Sequence, residues 1–423
     1  MMKRSILPGS SAEHGAIACM SLKWPDDFRT RPITQMKLPI INAIAMAILG
    51  ACLAQHLTAA PWDPAAKDYS GHKGRTLYVS KLGNNSDGSS WAKAFHTLQA
   101  AFDAVPDSLG GHRIIVRPDT YVEANLRPAH RGAPGAYNEI VGDFDGRLGS
   151  KAKGWVLIDS GDAEKGFKSW DWWGPFASSD KNWPHGNNKE TFSAIVCDRW
   201  IFRNLYTAGG DAGLFWDLTD KSGEGFTVVV EDCVGTGRAF GGGVCYPTVR
   251  VNEPTVFRRS YFMALDFVGD TAAILLGGWE QNMPQSPHAV FEDCTFVHPD
   301  NAVALSYASH CARAKFVNCR LIVLNFTQPE MGGKSTGIIC TENHKPTGRL
   351  HVDLEDCVMA GYSVLTPGEA GKAASYTTKG KVQAYVQFKQ TVPDGIQRLG
   401  LWPADLYAQI APPTSPRQLK RKK

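Results

Sequence analysis

The sequence predicts an all-β solenoid built from stacked coils, and three observations carry that reading. A short motif recurs, in which alternating apolar residues lead into Asp-Cys or Asn-Cys and then into more apolar residues. It reads TVVVEDCVGTG from Thr227, HAVFEDCTFV from His288, AKFVNCRLIV from Ala314 and HVDLEDCVMA from His351. SAIVCDRWIFRNLY from Ser193 and TVFRRSYFMA from Thr255 share the frame, with Ser260 standing where the others have Cys. Each run is followed by a second short apolar run: AGLFWDL from Ala212, GGGVCY from Gly241, TAAILLGGW from Thr271, NAVALSYA from Asn301, STGIICTE from Ser335 and AASYTT from Ala373. The third observation is the spacing, 25 positions from Cys294 to Cys319 and 38 from Cys319 to Cys357, with the variation confined to polar connections. A coil of this size cannot bury its apolar side alone, so it stacks on the next. Stacking predicts an internal column of Cys233, Ser260, Cys294, Cys319 and Cys357, with the preceding Asp or Asn suited to a bend.

Taken in order, the chain opens on a presequence at residues 1–60. Met36-Lys37 is followed by LPIINAIAMAILGACLAQHLTAA, a cation, an apolar run and small residues. That is the pattern of a secretory signal with its true start at Met36. The run is broken by Pro39 and Asn42 and is short for a membrane span. An export destination is expected, periplasmic or secreted, or lipid-anchored through Cys52 in the Leu49-Gly50-Ala51-Cys52 box. The mature chain is then expected to hold no transmembrane span. Residues 61–378 form the solenoid with its N-terminal cap. Trp91 to Ala104 is expected to be helical, with Ala94, Leu98, Ala101 and Phe102 on one face and Pro106 as breaker. Residues 379–423 are expected to form a C-terminal cap and a solvated basic tail.

Composition narrows the function classes. With 43% hydrophobic residues in 423, a sizeable core is available, and a net charge of +4 gives no warrant for nucleic acid as partner. Ten cysteines include no C-x-x-C pair, so zinc and redox motifs are not indicated, and most sit in strand-like runs as small buried hydrophobes.

The stretch from about Thr76 to Thr378 resembles a right-handed parallel β-helix of the pectin lyase-like superfamily. Leu77-Tyr78-Val79-Ser80, GNNSDGSSWAKAFHTLQAAFDAV and IIVRPDTYVE are similar to the N-terminal cap of such proteins, in which a helix plugs the open end. The resemblance implies a polysaccharide substrate and a monomer. The Asp-Asp and Gly-His-Gly segments of the galacturonan hydrolases are absent from the mature chain, and so is the Arg-x-Pro-x-x-Arg of the calcium-dependent pectate lyases.

The second runs end in polar and aromatic residues expected to stack on one outer face: Trp216-Asp217, Tyr246 with Arg250, Trp279-Glu280, Tyr307 with His310, and Glu342 with His344 and Lys345. β-Elimination on a uronate needs a charge neutraliser, a base for the C5 proton and a donor to the leaving oxygen. Glu280, His310, Arg250 and Lys345 are the catalytic candidates. Asp217, Glu280 and Glu342 are the candidate Ca2+ ligands, since calcium takes carboxylate oxygens. Trp216, Tyr246, Trp279, Tyr307 and His344 are expected to bind substrate. Trp172 and Trp173, in SWDWWGPFASSDKNWPHGNN, either stack on sugar rings or form the small core of a lid. The expected function is a polysaccharide lyase on uronate-containing chains. The alternatives are a glycoside hydrolase on the same fold, whose two carboxylates neighbouring coils can supply, and a non-catalytic glycan-binding or cell-surface structural protein.

Overall fold

The computed structural model describes residues 73–123, 126–159, 198–208, 212–214, 227–237, 240–246, 250, 253–264, 272–278, 282–298, 302–306, 311–324, 337–341, 349–361, 363–365, 373–386, 392–400 and 411–420. The presequence, with Cys52, lies outside them.

Three parallel sheets wrap one core. Among the described residues sheet I has ten strands, sheet II ten and sheet III six, and within each sheet the neighbours come from successive coils. Every pairing between named strands is parallel, as in Ala289–Glu292 against Thr255–Arg258 on one side and against Cys311–Val317 on the other. This is a parallel β-helix, and the repeat was legible because successive coils from Trp200 to Leu365 reuse the same three strand positions.

The motif itself spans a corner. Val228–Glu231 lies in sheet I and Val234–Gly237 in sheet II, and Asp232 between them has φ 55°. The same left-handed residue recurs at Asn204, Arg259, Asp293, Asn318 and Asp356, with Gly380 in the last of these coils. Asp and Asn tolerate this conformation better than other non-glycine residues, which is why they recur there. At Gly380 a Cβ would stand 2.2 Å from Asp356 Oδ1, so only glycine fits.

The next residue turns inward. Cys233, Cys294, Cys319 and Cys357 are buried and free, and each thiol lies within hydrogen-bonding reach of two backbone carbonyls, with one proton to donate between them. Cys319 Sγ, for example, lies 3.4 Å from Phe291 O and 3.3 Å from Val317 O. Ser260 does the same work with its hydroxyl, 2.8 Å from Arg258 O. The expected column is therefore present, and it seals the carbonyls that a corner would otherwise leave open. Among these left-handed corner residues Arg259 has the one long side chain, and Asp232 holds it with two hydrogen bonds of 2.9 and 3.1 Å. Arg259→Ala and Arg259→Gly both lose that pair, but only Ala keeps the left-handed strain. The Ala variant should be the less stable by about 1 kcal/mol in chemical unfolding.

Two features depart from the sequence reading. AASYTT does not close a coil as a second run. Ala374–Lys379 is a sheet I strand paired with Arg349–Glu355, and the sheet III strand of the preceding coil is Ser363–Leu365. Its alternation matched both positions, and only pairing separates them. The cap helix is also shorter than expected. Trp91–Lys93 is one 3-10 turn, Phe95 is extended and bonded to Tyr78 and Ser80, and the α-helix is Leu98–Asp103 with Thr97 as its N-cap. Bridging to the first strand takes Phe95 out of helical backbone, and the Thr97 cap restarts the helix. Leu98, Ala101 and Phe102 are buried, and Phe102 meets Trp200 edge-on at 5.2 Å. Glu123 accepts from the backbone N–H of Leu98 and Gln99 at 2.7 and 3.0 Å, so the helix start is doubly held.

Sheet I points Phe202, Val230, Phe257, Phe291 and Phe316 into the core in successive register. The outer face of sheet II is apolar too: Val234, Tyr261, Met263, Val297 and Ile322 are buried there with Leu419 from the short helix Pro416–Lys420. Trp155 Nε1 donates to Pro413 O at 3.1 Å. Residues 411–420 thus lie on sheet II, and residues 421–423 are outside the described part.

Candidate functional site

The expected column follows the ends of sheet III. Tyr246 ends the strand Phe240–Tyr246 and pairs with Gly278. Leu276, Ser306 and Thr341 are register partners across three coils. Trp279, Glu280, Tyr307, His310, Glu342, His344 and Lys345 follow these strands in sequence and lie outside the described residues, as do Trp172, Trp173, Trp216 and Asp217. His310 immediately precedes the sheet I strand Cys311–Val317.

Arg250 is described, and it sits where coils pass from sheet III back to sheet I. It does not open outward as expected. Its Nη1 and Nη2 lie 3.0 and 3.1 Å from the two oxygens of Asp198, and Nη1 also lies 3.0 Å from Thr227 Oγ1. Its Nε is 3.4 Å from Glu253 Oε2. Arg199 holds the same Glu253 with bonds of 3.1 and 3.2 Å, and Tyr137 donates to it at 2.5 Å. Two cations and two carboxylates, with Tyr137 and Thr227, tie the starts of four sheet I strands. Burial alone would lower the Arg250 pKa; Asp198 and Glu253 outweigh it and hold the guanidinium charged. Burial and the bond to Glu253 push the Tyr137 hydroxyl well up, so it stays a donor.

Along the outer face of sheet I a charge ladder continues. Arg203 bridges Glu139 and Glu231, and Arg258 bridges Glu231 and Glu292, the latter at 3.1 and 2.6 Å. Burial would raise the Glu231 pKa, but Arg203 and its other cations take it below the usual range. This ladder alternates in sign and satisfies itself, so it serves cohesion between coils.

The face changes character in the last coils. Arg313, Lys315, His351, Asp353, Ser375 and Thr377 point outward on the strands Cys311–Val317, Arg349–Glu355 and Ala374–Lys379. Arg313 reaches Asp353 with two bonds of 2.9 and 3.1 Å, and Thr377 donates to Asp353 at 2.6 Å. His351 contacts Ser375 Oγ at 2.8 Å and Asp353 Oδ1 at 3.3 Å. Burial would raise the Asp353 pKa; Arg313 and Thr377 lower it on balance. Sequence reading passed over this group. Its signal was present in ARAKF and HVDLE, where polar residues alternate with apolar ones on strands whose other face is core.

Among the described residues no group of three or more His, Cys, Asp or Glu side chains is arranged to hold a metal ion. None of their helices is long and apolar enough to cross a membrane.

No family model and no curated protein matches the chain. Among solved structures it is similar to the crystal structure of pectate lyase Pel9A, at 14% identity over 78% of this chain and 75% of that one, with a TM-score of 0.47. A rhamnogalacturonan lyase aligns at 13% identity over 74% of both chains, with a TM-score of 0.42. The crystal structure of Escherichia coli YbhC aligns at 14% identity over 83% of this chain and 93% of that one, with a TM-score of 0.39. Likenesses of this size do not bear on activity. By its own sheet topology the chain is a parallel β-helix, the architecture expected from its resemblance to the pectin lyase-like proteins.

Proposed function

We propose that the protein is a carbohydrate-active enzyme, a polysaccharide lyase on uronate-containing chains, with its site along the passage from sheet III to sheet I. One observation supports this above the rest. Leu276, Ser306 and Thr341 are register partners, and Glu280, His310 and Lys345 each stand four positions further on (276 + 4, 306 + 4 and 341 + 4). Three candidate residues of complementary chemistry thus share one offset in three successive coils. The strands they follow repeat at the ~4.8 Å spacing of parallel strands, which suits a polymer whose units repeat.

In this reading His310 removes the C5 proton, since its ordinary pKa lets it accept near neutrality. Lys345 faces the uronate carboxylate and stabilises the charge that develops there. Glu280, beside Trp279, serves the leaving oxygen or a cation. Arg250, committed to Asp198 and Glu253, positions the coil starts. Asp217, Glu280 and Glu342 supply the hard oxygen donors that calcium prefers, and Ca2+ there would help neutralise the substrate carboxylate. Trp216, Tyr246, Tyr307 and His344, with Trp172 and Trp173, would line the sugar path.

A panel of polysaccharides, followed by ultraviolet absorbance of unsaturated product, tests the reading. Wild type is expected to cleave a uronate polymer, and Glu280→Gln and His310→Ala to lose 100-fold or more, about the range for a general acid or base. Full rate in both variants would refute the site. New reducing ends without unsaturation would mean hydrolysis, and retention without cleavage would mean a binding module.

A further inference from the structure

We infer that Ser375, His351 and Asp353 form a nucleophile, base and carboxylate relay that hydrolyses carboxylic esters on the outer face of the last coils of sheet I. The reaction breaks a different bond with different residues from the lyase reading, so neither depends on the other.

The relay follows from strand register. His351 and Ser375 are direct cross-strand partners, and Asp353 is two residues along from His351 on the same face. The imidazole lies between the other two: Nδ1 is 2.8 Å from Ser375 Oγ and Nε2 is 3.3 Å from Asp353 Oδ1. Opposite ring nitrogens therefore serve opposite partners. With the proton on Nε2 and donated to Asp353, the Nδ1 lone pair faces the serine hydroxyl, the tautomer a general base needs. The hydroxyl has a second, longer acceptor in Leu350 O at 3.4 Å.

Exposure is graded in the useful direction. Ser375 is exposed, while the His351 and Asp353 side chains are 18% and 19% exposed. The nucleophile is open to substrate, and the groups that activate it are sheltered. Asp353 is oriented in advance by the Arg313 fork and the Thr377 hydroxyl. Of the relay groups it touches only the base and not the nucleophile, which makes it a positioning residue. Among the described residues Ala374–Lys379 is the end strand of sheet I. Leu350 N bonds to Ala373 O, so by parallel alternation Ser375 turns its backbone groups toward the neighbouring strand. Tyr376 N–H then points off the sheet edge beside Ser375, in place to meet the oxyanion.

Ser375 Oγ attacks the ester carbonyl carbon, forming a C–O bond while its proton passes to His351 Nδ1. The tetrahedral adduct collapses, the alcohol leaves with that proton, and an acyl group remains on Ser375. Water then attacks the acyl carbon, giving its proton to His351, and collapse releases the acid and returns the proton to Ser375 Oγ. The balance is ester plus water to acid plus alcohol. The serine stands on an open strand, so a small acyl group on a large, even polymeric, alcohol is the fitting substrate class.

The test treats the full chain with a fluorophosphonate probe and p-nitrophenyl acetate. The expected results are a probe adduct mapped to Ser375 by mass spectrometry, none in Ser375→Ala, and labelling and ester turnover at least 100-fold slower in His351→Gln with unchanged thermal unfolding. Asp353→Asn should slow labelling, and Asp353→Glu should recover part of it. An unlabelled Ser375 in folded protein, wild-type labelling in His351→Gln, or ester turnover surviving in Ser375→Ala would each overturn the relay.

Discussion

Replacing Phe291 by Ala is expected to remove about 3–5 kcal/mol of stability, the usual range for a fully buried phenylalanine. Phe291 is the middle of a stack, with ring centroids 4.9 Å from Phe257 and 4.8 Å from Phe316 and interplanar angles of 25° and 16°. It also meets Phe296 of sheet II edge-on at 5.2 Å. Truncation therefore strips three aromatic partners at once and opens a void that neighbours fixed by strand pairing cannot fill. Phe291→Leu keeps most of the volume and should lose less than half as much. Urea unfolding followed by tryptophan fluorescence measures both, and a loss under ~1 kcal/mol for the Ala variant would contradict the packed column.

Acid should weaken the protein well above the pH at which carboxylates titrate. Burial pushes the His288 pKa down to about 4 and that of His298 to about 3, against an ordinary 6.5. Between those values the unfolded chain binds protons that the folded chain refuses. The stability these residues contribute is thus complete above pH 6.5 and is lost as pH falls from 6.5 toward 4 and then 3. At about 1.4 kcal/mol per pH unit, each loss is roughly 3–5 kcal/mol. Glu231 and Asp353, whose folded values are lowered, add a further loss in the carboxylate range. Unfolding midpoints from pH 8 to 4 should fall in wild type and fall less steeply in His298→Gln. An identical slope in the variant would place the protons elsewhere.

The architecture was legible because a parallel coil writes its constraints locally. One left-handed corner residue, one inward small polar or thiol group and alternating apolar neighbours suffice, and Phe291-Glu292-Asp293-Cys294-Thr295-Phe296 carries all three. What could not be read was which strand position a run occupies. AASYTT fits sheet I and sheet III equally as a string, and only its pairing to Arg349–Glu355 decides. The paired state of Arg250 was equally hidden, because Asp198, Thr227 and Glu253 are 52, 23 and 3 residues away in sequence. The Ser375–His351–Asp353 group was overlooked for a related reason. Residues 24 apart become neighbours only once the coil length between them is known.

The bond from Trp155 to Pro413 spans 258 positions, whereas coil-to-coil contacts span a few dozen. Neighbouring coils can therefore form as the chain emerges from the ribosome, each templated by the last. The outer face of sheet II, though, stays partly wet until residues 411–420 are made, for Leu419 lies among them. Synthesis order makes that apolar strip late to be shielded, and a chain stopped before residue 411 would keep the described strands of sheet II with an adhesive flank.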